Sequence, residues 1–306
     1  MRAAFGSRVA DPMPLSFRGS GLLRNGSRGR FSVLIGSLTR SHAVNPISHY
    51  NSDMPFEAHP YCVTPQSEDA PLWRYMDFAK FVWTLEHNAL YLCRLDGLED
   101  TFEGCLPESI VPSVVAANEE WYDPTKNFDQ TLPARIVDMT RNVTFVNCWH
   151  MNAHESAAMW KLYGGALNGI AIRSTYARLK ASFGGYPGRV NIGVVRYIDF
   201  RSEFANPYSA VALATPKRKS FEHEREIRVL AGPDPTDPGV DREKLERGLR
   251  TVNSLIVAVN LSKLIASVHV APSAPAWFGD LIAAVMRRYG RDEEVIHSDL
   301  YSRPML

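Results

Sequence analysis

The pattern of apolar and polar positions predicts strands and helices that alternate irregularly along the chain. Residues Leu72 to His87 place apolar side chains at helical spacing, so this segment is predicted to be a helix. Predicted strands cover 89–95, 143–149, 170–173, 190–197, 254–259 and 265–270; further predicted helices cover 155–163, 174–183, 242–251 and 277–289. This order predicts an α+β fold, a single mixed domain with a central, largely antiparallel sheet flanked by helices.

The segment from Lys217 to Leu230, KRKSFEHEREIRVL, has three glutamates and an arginine on alternate positions. In a strand, Glu222, Glu224, Glu226 and Arg228 would share one face. Like charges on one face repel each other, so the carboxylates stabilise nothing unless a partner or a reaction uses them. Glu224 and Glu226 are therefore the first candidates for chemistry. The alternative is an edge strand whose charges prevent aggregation.

The chain is predicted to divide into a flexible segment, 1–65, and an α+β domain, 66–306. The first segment is rich in Arg, Ser, Gly and Pro. Residues 1–40 hold seven arginines and one acid, Asp11, a charge of +6 against +1 for the whole chain, so the remaining residues carry −5. A transit peptide, a disordered tail and a translation start set too far upstream all fit this composition.

Composition excludes several classes of function. The apolar runs are far shorter than the ~20 residues of a membrane span. The mildly acidic body is poorly suited to an extended nucleic-acid surface, although local arginines can bind a nucleotide. Cys62, Cys93, Cys105 and Cys148 lie far apart without a CxxC, which predicts free thiols in a reducing, cytoplasmic compartment and no structural zinc site. There is no GxxxxGK[ST], GxGxxG, HExxH or GxSxG motif.

Five segments together resemble a widespread bacterial domain family of unassigned function. They are LYLCRLDGLEDTFEG, VNCWHMNAHESAAMWKLYGG, GIAIRST, KRKSFEHEREIRVL and VAPSAPAW. The resemblance runs from Leu72 to Leu300, and its most specific motifs are CWxxxxxES…MWxxY and ExExR. It implies a common domain but no biochemical activity.

A second resemblance is to ADP-ribosyltransferases of the type that has an Arg, a Ser-Thr-Ser and a Glu-x-Glu in that order. The matching residues here are Arg94, Ser174, Thr175, Glu224 and Glu226. Tyr176 stands where the family has its third serine. The resemblance implies an enzyme that uses NAD as a substrate, of a kind found among toxins and anti-phage effectors.

The same resemblance implies a role for each matching residue. Glu226 would be the catalytic acid and Glu224 would orient the acceptor, because a carboxylate stabilises the oxocarbenium-like state in which the nicotinamide–ribose bond breaks. Arg94 would bind a phosphate bidentately, while Ser174 and Thr175 would brace the carboxylate strand.

Residues of the CWxxxxxES…MWxxY block complete the predicted site. The resemblance to the transferases implies that an aromatic ring stacks on nicotinamide, and Trp160 and Tyr163 are the candidates. Trp149 is a further candidate for binding the cofactor. Glu155 either opens a helix, where acids are favoured, or faces the site beside Glu226.

Other interpretations stay open. The domain could be a non-catalytic module that binds a nucleotide or a partner, or a hydrolase that uses the paired carboxylates. Cys148 and His150 could form a nucleophile pair, and with His154 they could bind zinc. Arg94 could instead pair with Asp100 or Glu103, which would make it structural.

Overall fold

The computed structural model describes residues 59–116, 132–165, 167–207, 209–232 and 251–304. The segment 1–58 and all but the last residue of the predicted helix 242–251 lie outside these ranges. The boundary between 1–65 and 66–306 therefore stays a prediction. Every helix within the described ranges is too short or too polar to cross a bilayer.

The described residues form strands, α-helices and short 3₁₀ helices. The strands are β1 Pro71–Asp77, β2 Ala89–Arg94, β3 Phe145–Met151, β4 Gly169–Thr175, β5 Val190–Val194, β6 Arg196–Ile198, β7 Pro216–Arg218, β8 Glu226–Ala231, β9 Ser254–Ala258, β10 Ser267–Val270 and β11 Val295–His297. The α-helices are α1 Phe78–His87, α2 Val111–Ala116, α3 Leu132–Val143, α4 Ala157–Tyr163, α5 Tyr176–Ser182, α6 Ala210–Ala214, α7 Leu261–Leu264 and α8 Ala276–Arg288. The 3₁₀ helices are Leu95–Gly97, Glu108–Ile110 and Lys219–Glu224.

One mixed sheet organises the domain. Its strands follow the order β11-β10-β4-β1-β3-β2-β9, and β8 pairs with β3 and with β5. All pairs in this sheet are antiparallel except β10 with β11. Strands β6 and β7 form a separate parallel pair. The prediction of an α+β domain with a largely antiparallel sheet is confirmed.

Strand β3 is the branch point of the sheet. Along one edge it pairs with β8 from Phe145 to His150. Along the other edge its first residues pair with β2, where Val146 lies opposite Cys93. Its last residues pair instead with β1, where His150 lies opposite Trp73. The two ends of β3 therefore belong to different parts of the sheet.

One face of the sheet is apolar and is covered by α1, α5, α7 and α8. Its strand residues include Leu72, Phe145, Ile172, Ile227 and Val268, all almost completely buried. The helices contribute the buried side chains Phe81, Leu85, Leu179, Leu261, Leu264, Phe278, Ile282 and Met286. Burial of this apolar surface is the main force that holds the sheet and these helices together.

The predicted helix 72–87 is wrong in its first half. Residues 71–77 form β1, and only then does α1 begin. The side chain of Asp77 starts the helix by accepting a hydrogen bond from the main-chain NH of Lys80 at 2.8 Å. Because β1 is buried on both faces, it lacks the strict alternation that distinguishes a strand from a helix in sequence.

The prediction of one continuous strand through 217–230 is also wrong. Residues 219–224 form a 3₁₀ helix, and Arg225 has φ +40°, in the left-handed region. Strand β8 begins only at Glu226. Glu222 and Glu224 therefore do not continue the strand face that carries Glu226.

Candidate functional site

The face of the sheet opposite the apolar core carries a row of polar and aromatic side chains. Arg173 lies opposite Trp73, Trp73 opposite His150, and His150 opposite Glu226. Directly opposed residues of antiparallel strands project to the same face. Three interstrand spacings separate the ends of the row, about 14 Å between the Cα atoms of Arg173 and Glu226.

Glu226 is the centre of a buried group of charges. The Arg228 guanidinium donates to it through Nε at 2.6 Å and NH2 at 3.0 Å. Lys217 Nζ lies 3.1 Å from Glu226 Oε2 and 2.5 Å from Glu224 Oε2. Glu103 completes the group through ion pairs with Arg228 and, at 3.4 Å, with Lys217. These five residues are called the ion cluster below.

The ion cluster contains three carboxylates and two cations, and none of its members is more than 7% exposed. Burial alone would raise the pKa of Glu226, but Arg228 and Lys217 outweigh burial and lower it to about 2. For Glu103 burial outweighs the cations, and its pKa is raised. Burial would lower the pKa of Lys217, but the carboxylates raise it overall. Glu226 is therefore firmly ionised, and Glu103 takes up a proton before it.

Two tyrosines lie at the border of the ion cluster, and each is hydrogen-bonded to one of its glutamates. The Tyr163 hydroxyl donates to Glu224 Oε1 at 2.9 Å, and its side chain is 37% exposed. The Tyr197 hydroxyl accepts a hydrogen bond from the main-chain NH of Glu226 at 2.8 Å. Tyr163 is thus a half-exposed group that is hydrogen-bonded to the buried Glu224.

The other end of the row has an exposed charge. The guanidinium carbon of Arg173 lies 5.6 Å from the centre of the Trp73 ring, within cation–π range. No carboxylate in the described ranges forms an ion pair with Arg173. The Trp73 ring is held in place because its Nε1 donates to the carbonyl of Asn152 at 3.0 Å. Arg173 and Trp73 are called the arginine end below.

The structure brings several of the predicted site residues to this face. Glu224, Glu226 and Tyr163 meet in or beside the ion cluster. Glu155 accepts a hydrogen bond from Trp160 Nε1 at 2.7 Å, and Trp160 packs edge-on against Tyr75, whose ring also faces His150. Helix α4 begins at this point because the Ser156 side chain accepts from the main-chain NH of Met159.

Arg94 lies elsewhere. It pairs with Phe145, five residues along β3 from His150, about 16 Å away along the strand. Its guanidinium donates to both carboxylate oxygens of Asp96, at 2.7 and 2.8 Å. The alternative partners considered from sequence, Asp100 and Glu103, bind other cations instead.

The remaining predicted residues also lie apart from Glu226. The Ser174 hydroxyl donates to the carbonyl of Leu264 at 2.6 Å, and the Thr175 side chain caps α5. Trp149 is 2% exposed within the apolar core. The contacts of these three residues therefore serve the fold, and their role in binding stays a prediction.

Two further interpretations lose their geometric basis. Burial raises the pKa of the Cys148 thiol well above its ordinary value, the opposite of what a nucleophilic thiolate needs. Within the described ranges, no three His, Cys, Asp or Glu side chains come close enough to hold a metal ion. The zinc site of Cys148, His150 and His154 is therefore not formed.

Sequence reasoning missed most partners of the carboxylates. Lys217 and Arg228 were visible in KRKSFEHEREIRVL as cations close to the glutamates, and this was the available signal. Trp73 was hidden because its segment was predicted to be helical. Arg173 directly precedes Ser174 but is not part of the Ser-Thr motif, so the motif did not point to it.

The chain matches no protein-family model and no curated protein. Among solved structures it is similar to DarT of Thermus sp. 2.9 in complex with ADP-ribosylated ssDNA. The two sequences are 11% identical, the TM-score is 0.34, and the alignment covers 77% of this chain and 97% of the DarT chain.

Proposed function

We propose that this protein is an ADP-ribosyltransferase-like enzyme that cleaves NAD and transfers its ADP-ribosyl group. The row from Arg173 to Glu226 carries this proposal, because a cation lies at one end of it and a carboxylate at the other, on one face of the sheet. Both charges suit NAD. Its diphosphate is anionic and can bind a cation, and its ribose becomes positively charged as the nicotinamide bond breaks and can be stabilised by a carboxylate.

The ion cluster supplies the carboxylate end. Stabilising an oxocarbenium-like ribose requires negative charge that is in place before the reaction. Glu226 is ionised and held at both oxygens by Arg228 and Lys217. Glu224 is nearer the surface, where Tyr163 covers it. In this proposal Tyr163 moves and Glu224 then contacts the ribose. Glu226 stays buried behind Glu224 and supplies a permanent negative charge.

The arginine end supplies the phosphate ligand. A guanidinium binds phosphate oxygens bidentately, and Arg173 has no carboxylate competing for it in the described ranges. Its guanidinium lies over the ring of Trp73, which is the next residue of the row. We therefore assign phosphate binding to Arg173, where the sequence motif had indicated Arg94.

The test is nicotinamide release from NAD by the purified protein and by Glu224→Gln and Glu226→Gln. Removing one transition-state carboxylate contact is expected to lower kcat by about 10²- to 10³-fold. The matched control is Glu68→Gln, a carboxylate that is exposed and paired with Lys180. Equal turnover in all four proteins, or none in the wild type, would remove the catalytic proposal.

A non-catalytic nucleotide-binding module is the second candidate. The burial of Glu226, with each oxygen already bound by a cation, favours it. Calorimetric titration with ADP-ribose separates the two: binding that depends on Arg173, without nicotinamide release, would support the module over the enzyme.

A further inference from the structure

The main chain fixes the tautomer of His150. Its Nδ1 atom lies 2.6 Å from the main-chain carbonyl oxygen of Glu224. A carbonyl oxygen can only accept a hydrogen bond, so Nδ1 carries the proton. In the neutral ring Nε2 then has a free lone pair and can only accept.

This lone pair has no partner in the described part of the chain. His150 is only 3% exposed, yet its Nε2 makes no hydrogen bond to a described residue. Buried polar atoms almost always have partners, so an exception needs an explanation. The other buried histidine on this face, His269, differs because its Nε2 lies 3.1 Å from the hydroxyl of Ser267.

His150 also occupies the middle of the row. It lies between Trp73 and Glu226 on the neighbouring strands. His150 is therefore placed between the proposed phosphate ligand, Arg173, and the ion cluster.

The groups around the ring decide its protonation state. The Tyr75 ring on β1 lies 6.1 Å from it, centre to centre. The charges of His223, Glu224 and Arg225, the residues before β8, act on the ring. Glu226 on β8 lies opposite His150 in the sheet. Burial is the largest effect, and the pKa of His150 is lowered. The ring is thus neutral, the form in which Nε2 can accept a proton.

We propose that His150 is the general base of the NAD-cleaving reaction and that its Nε2 accepts the proton of the attacking hydroxyl group. This inference rests on the proposed function. The O–H bond of water or an alcohol breaks and its proton moves to Nε2, while the oxygen forms a bond to ribose C1′. The C1′–N bond breaks, and its electron pair neutralises the nicotinamide ring. The proton on His150 then passes to solvent, and no redox partner is needed.

The main test is His150→Asn. The asparagine amide can still donate to the Glu224 carbonyl in place of Nδ1, but nothing remains at Nε2. A general base contributes about 10²- to 10⁴-fold, so kcat for nicotinamide release should fall by at least about 100-fold with little change in KM. Because the pKa of His150 is lowered, the wild-type rate should also decrease in the acidic range below the ordinary histidine value, and the variant should lose this dependence.

The control is His297→Asn on β11. Both ring nitrogens of His297 lie near main-chain carbonyls, of Ser298 at 3.2 Å and of Ala274 at 3.0 Å. This variant should keep the wild-type kcat and pH profile.

Three results would overturn the role of His150 alone. They are a His150→Asn variant with wild-type kcat, a variant whose defect lies only in KM, and a wild-type rate that is flat through the acidic range. The last requires no variant, so it decides the matter even if His150→Asn fails to fold. A wild type that releases no nicotinamide would overturn both this role and the proposed function.

Discussion

The two ends of the row differ in the environment of their charged side chains, which are buried and paired at one end and exposed at the other. In the ion cluster, Glu226 and Arg228 are at most 3% exposed and bind each other through two hydrogen bonds. At the arginine end, Arg173 is exposed, and its guanidinium lies over the ring of Trp73.

This difference separates stability from binding. Burying a charge costs several kcal/mol unless a partner compensates, so the ion cluster must be complete for the domain to fold well. An exposed guanidinium costs the fold little and can meet an incoming anion with its donors unused. Substitutions in the ion cluster should therefore reduce stability as well as kcat, while substitutions at the arginine end should reduce affinity without reducing stability.

The largest effect is expected for Arg228→Met. The change leaves Glu103 and Glu226 buried with only Lys217 to neutralise them. Removing one partner of a buried ion pair lowers the free energy of unfolding by about 3–5 kcal/mol. For a domain of this size this lowers Tm by roughly 10 °C. Thermal unfolding followed by circular dichroism measures it.

The matched control is Lys180→Met, which breaks the exposed pair with Glu68 at 2.6 Å. Exposed pairs contribute about 0.2–1 kcal/mol, so Tm should change by only a few degrees. Similar shifts in both variants would mean that the ion cluster is solvated, and the contrast between the two ends would disappear.

The sequence predicted those features of the site that depend on neighbouring residues, and it missed those that depend on contacts between distant segments. The pair Glu224 and Glu226 was found from strand alternation, but Arg225 turns the backbone between them and a 3₁₀ helix precedes it. Both carboxylates still meet because each binds Lys217, a contact that alternation does not describe.

The position of Arg94 relative to Glu226 has a non-local cause. Its distance from Glu226 depends on the branching at β3, where β1 and β2 pair with different ends of the same strand. No spacing in the sequence encodes that branch. By contrast α5 and α8, together with β2, β4 and β9, were predicted from local apolar patterns and are confirmed.

The next effect compares two arginines. Arg173→Gln should raise KM for NAD by about 10- to 100-fold, because a hydrogen bond to a charged group is worth about 1.5–3 kcal/mol. Arg94→Gln should leave KM unchanged, because that guanidinium is bound to Asp96. Steady-state nicotinamide release measures KM, and thermal unfolding checks that both variants are folded. An Arg94 variant with the larger KM would restore the assignment made from sequence.

The smallest effect is the pH dependence of stability, and it distinguishes the two ends by where it occurs. Burial lowers the pKa of both His150 and His269. The unfolded chain then binds more protons than the folded protein as the pH falls below about 6.5, so their contribution to stability is lost in that range.

The ion cluster should respond at lower pH. The pKa of Glu226 is lowered from 4.5 to about 2, so its contribution is present above 4.5 and disappears only as the pH falls towards 2. Glu103 has a raised pKa and opposes this trend, since its protonated form is favoured in the folded protein.

Urea unfolding at a series of pH values should therefore show two separate losses of stability. His269→Asn should reduce only the first, because His269 lies near Trp73, remote from Glu226 along the row. If His269→Asn reduced the second loss instead, the two ends would be electrostatically coupled, and the division between a stabilising end and a binding end would be wrong.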